Sequence, residues 1–269
     1  MVDDISDIKA YYDSCVEKES IRLERHKQER DITWRYIEKY LPSHGKILEI
    51  GSATGQYTVR LAKKGYHVTA VDLSPKSIAA CKKTVKKEGL EKKVTCFVAD
   101  GRELIGVPGK DYDAVLLMGP LYHLVLKEDR EKAVREAHNR LKPGGVILSA
   151  LVSRYGIWGT IMTRLSYLID RQEDVRSVIE KGKDVLVPAG GFRGYFATVK
   201  EVKPLHENAG FKTLVLAGVE PANTVADEGY NNLEGDRRKL WLDLLFSIST
   251  EPSIIGASDH LLYIGVKDR

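Results

Sequence analysis

What this chain lacks narrows it first. Its three cysteines, Cys15, Cys81 and Cys96, show no paired spacing. They therefore build neither a zinc site nor a disulfide framework, and they fit a reducing compartment. No apolar run approaches the roughly 20 residues that a membrane-spanning helix needs. The start, Met1-Val2-Asp3-Asp4, is acidic with no apolar segment behind it, so no secretory leader is expected and the expected setting is the cytoplasm. No internal repeat or low-complexity stretch occurs. The net charge is only +4 over 269 residues. Much of the lysine gathers in one helix and its exit (Lys82, Lys83, Lys86, Lys87, Lys92, Lys93). No aromatic residue interleaves with it, as a single-strand binder would want. A solvated helix face accounts for that run, and nucleic acid is not an expected partner.

What is present points to a nucleoside pocket. Lys46-Ile47-Leu48-Glu49-Ile50-Gly51-Ser52-Ala53-Thr54-Gly55 reads as a short buried strand that breaks at glycine and turns into a helix. Glycine lets backbone approach a ligand, and the helix start beyond it offers free N–H groups. A second strand, His67-Val68-Thr69-Ala70-Val71-Asp72, ends in a carboxylate able to accept both hydroxyls of a ribose. The dinucleotide fingerprint Gly-x-Gly-x-x-Gly is broken by Ala53 and Gln56, which disfavours a pyrophosphate and a nicotinamide enzyme.

The pattern present instead, Glu49-x-Gly51-x-x-x-Gly55, resembles motif I of the class I S-adenosylmethionine (SAM) methyltransferases. Asp72 resembles the ribose-binding acid of that family, Asp100-Gly101 its adenine-contacting pair, and Lys142-Pro143-Gly144-Gly145 a further family signature. The resemblance is specific over Lys46 to Ala150 and is nearest to the small-molecule, type 11 or quinone-biosynthesis-like branch. It implies SAM as cofactor, S-adenosylhomocysteine as product, and a contact set of Glu49, Gly51, Ser52, Gly55, Tyr57, Asp72, Leu73, Asp100, Gly101 and Met118. No metal is expected.

Alternating strand and helix patterns predict an α/β, doubly wound, mostly parallel sheet. Seven strands are expected at 46–50, 67–72, 94–98, 113–118, 146–152, 211–219 and 260–266. The resemblance makes the last antiparallel. Residues 1–44 are expected as an N-terminal helical cap, helical from about Asp7 to Leu41, and 45–269 as the main domain. Within the cap, the densely charged stretch Glu17 to Arg30 is expected to be exposed or to lie across a pocket mouth. Two connections exceed ordinary length, about 153–197 and 220–258. The first carries Ile157, Ile161, Leu165 and Ile169 at helical spacing. Both leave from the carboxyl edge of the sheet, so both are expected to form a lid over the cofactor, with a small-molecule acceptor beneath.

Methyl transfer from a sulfonium releases a neutral thioether, so it needs no leaving-group acid, and a base is optional. The loop Met118-Gly119-Pro120-Leu121-Tyr122-His123-Leu124 follows the fourth strand, where the resemblance puts the reactive methyl. His123 is the first candidate base, because imidazole titrates near neutral pH. Tyr122 is placed to pack on the methionyl part. His260 is the second candidate, and Arg154 a possible anchor for an anionic substrate. Tyr11 and Tyr12 resemble aromatic residues that close over SAM in several relatives. The loop lacks the Asn-Pro-Pro-Tyr run of many exocyclic-amine and amide methyltransferases. An RNA or protein acceptor, or SAM binding without turnover, are the alternatives.

Overall fold

The computed structural model describes residues 3–164, 166–183, 193–221 and 227–268. Its sheet is built from β1 (Lys46–Ile50), β2 (His67–Asp72), β3 (Val94–Val98), β4 (Tyr112–Leu117), β5 (Leu141–Ser153), β6 (Phe196–Ala197), β7 (Phe211–Gly218) and β8 (His260–Lys267). The order is β3-β2-β1-β4-β5-β8-β7, with β6 paired to β5 off this path. β1 to β5 run parallel, and β8 runs antiparallel between β5 and β7. The chain reverses direction across the sheet between β1 and β4, the switch point at which open α/β sheets bind ligands.

The seven expected strands make the main path, and β6 is an addition. β5 outruns its parallel neighbour: it pairs with β4 only as far as Ser149, and beyond that Val152 and Ser153 take Phe196 and Ala197. Unpaired backbone at a buried strand end is costly, so the returning chain fills it.

Successive residues along the strands face opposite layers. Leu48, Ile50, Val115 and Leu117 enter one core, while Ile47, Ala114, Leu116 and Leu148 enter the other. The first layer is closed by α7 (Lys127–Arg140) and α10 (Val199–Glu207), through Ala133, Val134, Ala137 and Val202. The second is closed by α4 (Lys27–Tyr40), α5 (Gln56–Lys63), α6 (Pro75–Lys87) and α12 (Gly235–Ile248). α6 starts as its sequence reads, with Pro75 in the first turn and Ser74 Oγ accepting from Ser77 N at 3.0 Å.

The cap is not one long helix. It breaks at Cys15, Ile21 and His26 into α1 (Ser6–Ser14), α2 (Val16–Ser20), α3 (Arg22–Arg25) and α4. An unbroken helix of that length would run roughly 50 Å and overshoot the domain. The breaks fold α1 to α3 back over the carboxyl edge of the sheet. Three contacts hold them there: Asp13 accepts from Ser74 Oγ at 2.6 Å, Ser20 O from Gln56 Nε2 at 2.6 Å, and Asp3 O from Arg102 Nη1 at 2.9 Å.

The two long connections sit elsewhere than the sequence suggests. The second forms α11 (Asp227–Asn231), α12 and α13 (Pro252–Ala257), which pack on α4 and β7. Lys27 N and Nζ donate to Asn231, and Tyr36 meets Ser249 at 2.8 Å. In the first, the helical pattern begins as α8 (Trp158–Arg164) and continues as a 3-10 turn over Ser166–Asp170. Leu165 lies outside the described residues.

Ile37 of α4 is 1 % exposed against the sheet. Ile37→Ala is expected to lower the unfolding free energy by about 2–5 kcal/mol in urea titration. A loss below about 1 kcal/mol would mean that the cap is peripheral to the core.

Candidate functional site

The break after β1 is set by sterics. Gly51 has φ +84°, and a Cβ there would stand 2.1 Å from the Met118 carbonyl oxygen. Gly55 has φ +88°, with a Cβ position 2.5 Å from Cys81 Sγ. Only glycine permits the tight turn and the close seating of α5 on α6. Gly51 N and Ser52 N donate to Val71 O at 2.8 and 3.0 Å, which locks the turn to the end of β2.

Asp72 closes the same knot. Its Oδ2 accepts from Ala53 N at 2.8 Å and its Oδ1 from Ser74 N at 2.9 Å. Burial pushes its carboxyl up to about 6, against the pull of those two amides. Glu49, 1 % exposed, is pushed up to about 8 by burial; the Thr58 hydroxyl that donates to it opposes the rise, and the Asp72 charge adds to it. Ser52 Oγ is buried beside them with no hydrogen-bond partner among the described residues. Asp100 is braced by Arg102, whose Nε and Nη2 both reach Oδ2, at 2.9 and 2.6 Å. Arg102 in turn reaches Asp129 at 2.8 Å.

These groups line one cavity at the carboxyl edge. Of the expected residues, Glu49, Gly51, Ser52, Tyr57, Asp72, Leu73, Asp100, Gly101, Met118, Tyr122, His123 and His260 all border it. Gly55 does not; it borders the neighbouring hollow beneath α2. Arg154 is also elsewhere. It is 8 % exposed, with Nε on Phe196 O at 3.0 Å and Nη2 on Glu201 at 3.1 Å. It ties the start of the first insertion to α10 and is spent on that pairing rather than offered to a substrate. Tyr12 borders the cavity, whereas Tyr11 stacks edge-on against it from outside.

The roof is the cap. Ile5, Ile8, Tyr12, Glu19, Arg22, Leu23, Glu29 and Thr33 border the cavity, and no described residue of 153–197 or 221–258 does. The described residues of the insertions stand one layer out. Tyr195 N donates to Tyr122 O at 2.9 Å, and Arg193 O faces His123 Nδ1 at 3.2 Å. That carbonyl accepts, so Nδ1 carries the proton and Nε2 receives the Tyr12 hydroxyl at 2.6 Å. Burial pushes His123 down to about 4, despite the carbonyl. The ring is therefore neutral near pH 7, a weak base already engaged by Tyr12.

A charged network that sequence reasoning missed crosses the roof. Arg22 grips Glu29 through both guanidinium tips, at 2.8 and 2.7 Å. Burial alone would raise the Glu29 carboxyl; Arg22, and then His260, outweigh it and hold it at about 2. His260 Nδ1 donates to Glu220 Oε2 at 2.5 Å, and His26 Nδ1 lies 3.8 Å from the other oxygen. Burial would lower His260, but Glu29 and Glu220 hold it up at about 9. His26, Glu29 and Glu220 bring potential metal-ligand atoms within 4.8 Å of one another. Their carboxylates are already compensated by Arg22 and His260, a poor setting for a further cation. The one sequence signal was the charged stretch Glu17 to Arg30, which proves to lie across the mouth.

Three comparisons bear on this arrangement. Residues 47–145 match the sequence family described as "Methyltransferase domain". A ubiquinone biosynthesis O-methyltransferase of Xylella fastidiosa is 31 % identical over 122 residues, 44 % of this chain and 47 % of that one. Among solved structures, a SAM-dependent methyltransferase of Methanosarcina mazei superposes with a TM-score of 0.60 at 19 % identity, over 87 % of this chain and 97 % of that one. A cyclase, SpnF, superposes at 0.56 and 18 % identity, over 89 % and 80 %. The fold is thus that of the class I, Rossmann-like methyltransferases. Residues 47–145 carry the match to the methyltransferase-domain family, and the chain as a whole shares the fold. It spans about half the length of the curated relatives it matches.

The His260–Glu220 pair sets a pH signature. The folded imidazole is held at about 9 against an ordinary 6.5, so its contribution is complete below pH 6.5 and is lost as pH rises through 9. The melting temperature of the native protein minus that of His260→Gln is expected to shrink across that window. A difference constant from pH 6 to 10 would refute the charged pair.

Proposed function

We propose that this protein transfers a methyl group from SAM to a small-molecule acceptor. The observation that carries the reading is the pair of buried acids at adjacent strand ends, Glu49 and Asp72, flanking a glycine turn whose Ser52 hydroxyl is buried without a partner among the described residues. Both carboxyls are lifted by burial, and no cation among the described residues compensates either. A ligand that brings an ammonium to Glu49 and a ribose diol to Asp72 satisfies both, as buried polar groups require. Asp100, held rigid by Arg102, and the Gly101 backbone stand beyond Asp72 for an adenine.

SAM, when bound, supplies an electrophilic methyl on a sulfonium. The residues of this chain supply position. Holding donor and acceptor close and in line is worth roughly 7–11 kcal/mol of a barrier. Tyr122, its carbonyl bonded to Tyr195 N, borders the place where the two meet. The Tyr12 hydroxyl and neutral His123 form a short polar pair on the same lining, able to orient an acceptor by hydrogen bonding. Because the cap roofs the cavity, it is the cap, and not the insertions, that closes over ligands in this reading.

A small acceptor is supported by that roof, whose described residues cover the cavity, and by quinone-pathway names among the relatives. No described helix is long and apolar enough to cross a membrane; a cytoplasmic setting, in keeping with the free thiols, belongs to the same proposal. A second reading, SAM binding without methyl transfer, draws on the cyclase that shares the fold. Formation of S-adenosylhomocysteine across an acceptor panel separates the two.

Calorimetric titration tests the site. Asp72→Ala is expected to weaken SAM binding at least tenfold and His123→Ala less than threefold, a gap of roughly 1 kcal/mol or more; equal losses would contradict the assigned roles. Glu49 gives a second readout. Its carboxyl is protonated below about pH 8, so binding an ammonium beside it must release a proton. SAM affinity is expected to rise with pH up to about 8 and then level, with proton release seen across buffers of different ionisation enthalpy. Glu49→Gln is expected to abolish both.

A further inference from the structure

We propose that the acceptor is an organic acid, its ionised oxygen held by Nε2 of His260, with Glu220 fixing the ring from behind. This rests on the methyl-transfer reading for the position of the donor and extends it to the class of acceptor.

Three observations carry the inference. The first is position. The acids that suit the adenosyl and aminoacyl parts of the donor stand at the ends of β2 and β1, and the loop after β4 stands next. β8 lies two strands beyond β4 in the sheet, roughly 10 Å at ordinary strand spacing. His260, the first residue of β8, therefore borders the part of the cavity beyond the donor. The Tyr122 ring faces it edge-on at a centroid distance of 6.3 Å.

The second is the sense of the charge. Arg22 and Glu29 both border the cavity and cancel one another. The His260–Glu220 pair is different, because His260 borders the cavity and Glu220 does not. Glu220 is 2 % exposed, and its backbone N donates to Ser258 Oγ at 2.9 Å. The cationic pole of this pair thus faces the cavity and the anionic pole is buried behind it. Glu19, the other acid that the cap adds to the lining, sits over the glycine turn, where its carbonyl accepts from Gln56 Nε2 at 3.3 Å.

The third is donor capacity. Nδ1 is used by Glu220, while Nε2 has no hydrogen-bond partner among the described residues. The groups facing the ring are Glu29 and Arg22 from the cap, Glu220 and His26 behind, and Tyr122 from the β4 loop; burial opposes the ring's charge and the two glutamates uphold it. An imidazolium N–H with no protein acceptor, beside a cavity, is a site for a carboxylate or a similar oxyanion.

The test uses the full chain loaded with S-adenosylhomocysteine and matched pairs of acids and primary amides: acetate and acetamide, benzoate and benzamide, indole-3-acetate and its amide. Binding is read by calorimetry at pH 7. At least one acid is expected to bind tenfold or more tightly than its amide. His260→Gln is expected to remove that preference, and Glu220→Gln to reduce it at least threefold, with S-adenosylhomocysteine affinity as the check that each variant is folded. Inorganic phosphate serves as a further arm: binding as tight as that of the best acid would overturn the organic-acid assignment. The proposal is also overturned if no acid outbinds its amide, or if the preference survives in His260→Gln. Failure of the native protein to bind S-adenosylhomocysteine would instead overturn the cofactor reading.

Discussion

Two carboxyls taken out of water at the ends of neighbouring parallel strands govern this molecule. Glu49 and Asp72 are buried where backbone amides and a threonine hydroxyl meet only part of their needs. Such groups are unfavourable in an empty fold and favourable beside a polyhydroxylated, cationic ligand. The glycine turn exists to bring them together. Gly51 lets β1 end against the β4 loop, and the Asp72 carboxylate then fastens the turn to β2. Remove that knot and neither the helix start nor the acids hold their places.

Around this centre the chain divides labour unlike its sequence order suggests. The catalytic-edge connections, long and rich in apolar residues, invite a reading as lids. Their described residues act as supports. The first fixes the Tyr122–His123 loop through backbone contacts at Tyr195 and Arg193, and the second wedges α4 against the sheet. The cap does the roofing, and it brings charge to it. A roof of Arg22, Glu29 and Glu19 differs from an apolar one because the Arg22–Glu29 pair, its carboxylate buried and its guanidinium half-buried, holds orientation at close range. It also makes the polarity of the cavity depend on which member of each pair faces inward.

The fold was largely legible. Strand positions, helix caps and the glycine turn are local matters, decided by two-residue alternation, by Ser74-Pro75 at a helix start, and by the positive φ that Gly51 and Gly55 supply. That Glu49 and Asp72 would meet at one strand edge was legible for the same reason, since they sit at the ends of strands whose alignment follows from their apolar cores. The far wall of the cavity was not. Arg154 reads as a free cation next to a strand end, yet it is bound to Glu201. His123 reads as a base, yet burial and Tyr12 leave it a neutral acceptor.

The sequence by itself determined the α/β alternation, the break after β1 and the acids that flank it, because each depends on residues a few positions apart. Tertiary structure alone decided what closes the cavity and how its far wall is charged. Glu220 meets His260 across 40 residues of chain, and Tyr12 meets His123 across 111. A side chain's protonation and direction follow from neighbours that folding supplies, and no spacing along the chain encodes which neighbours those are.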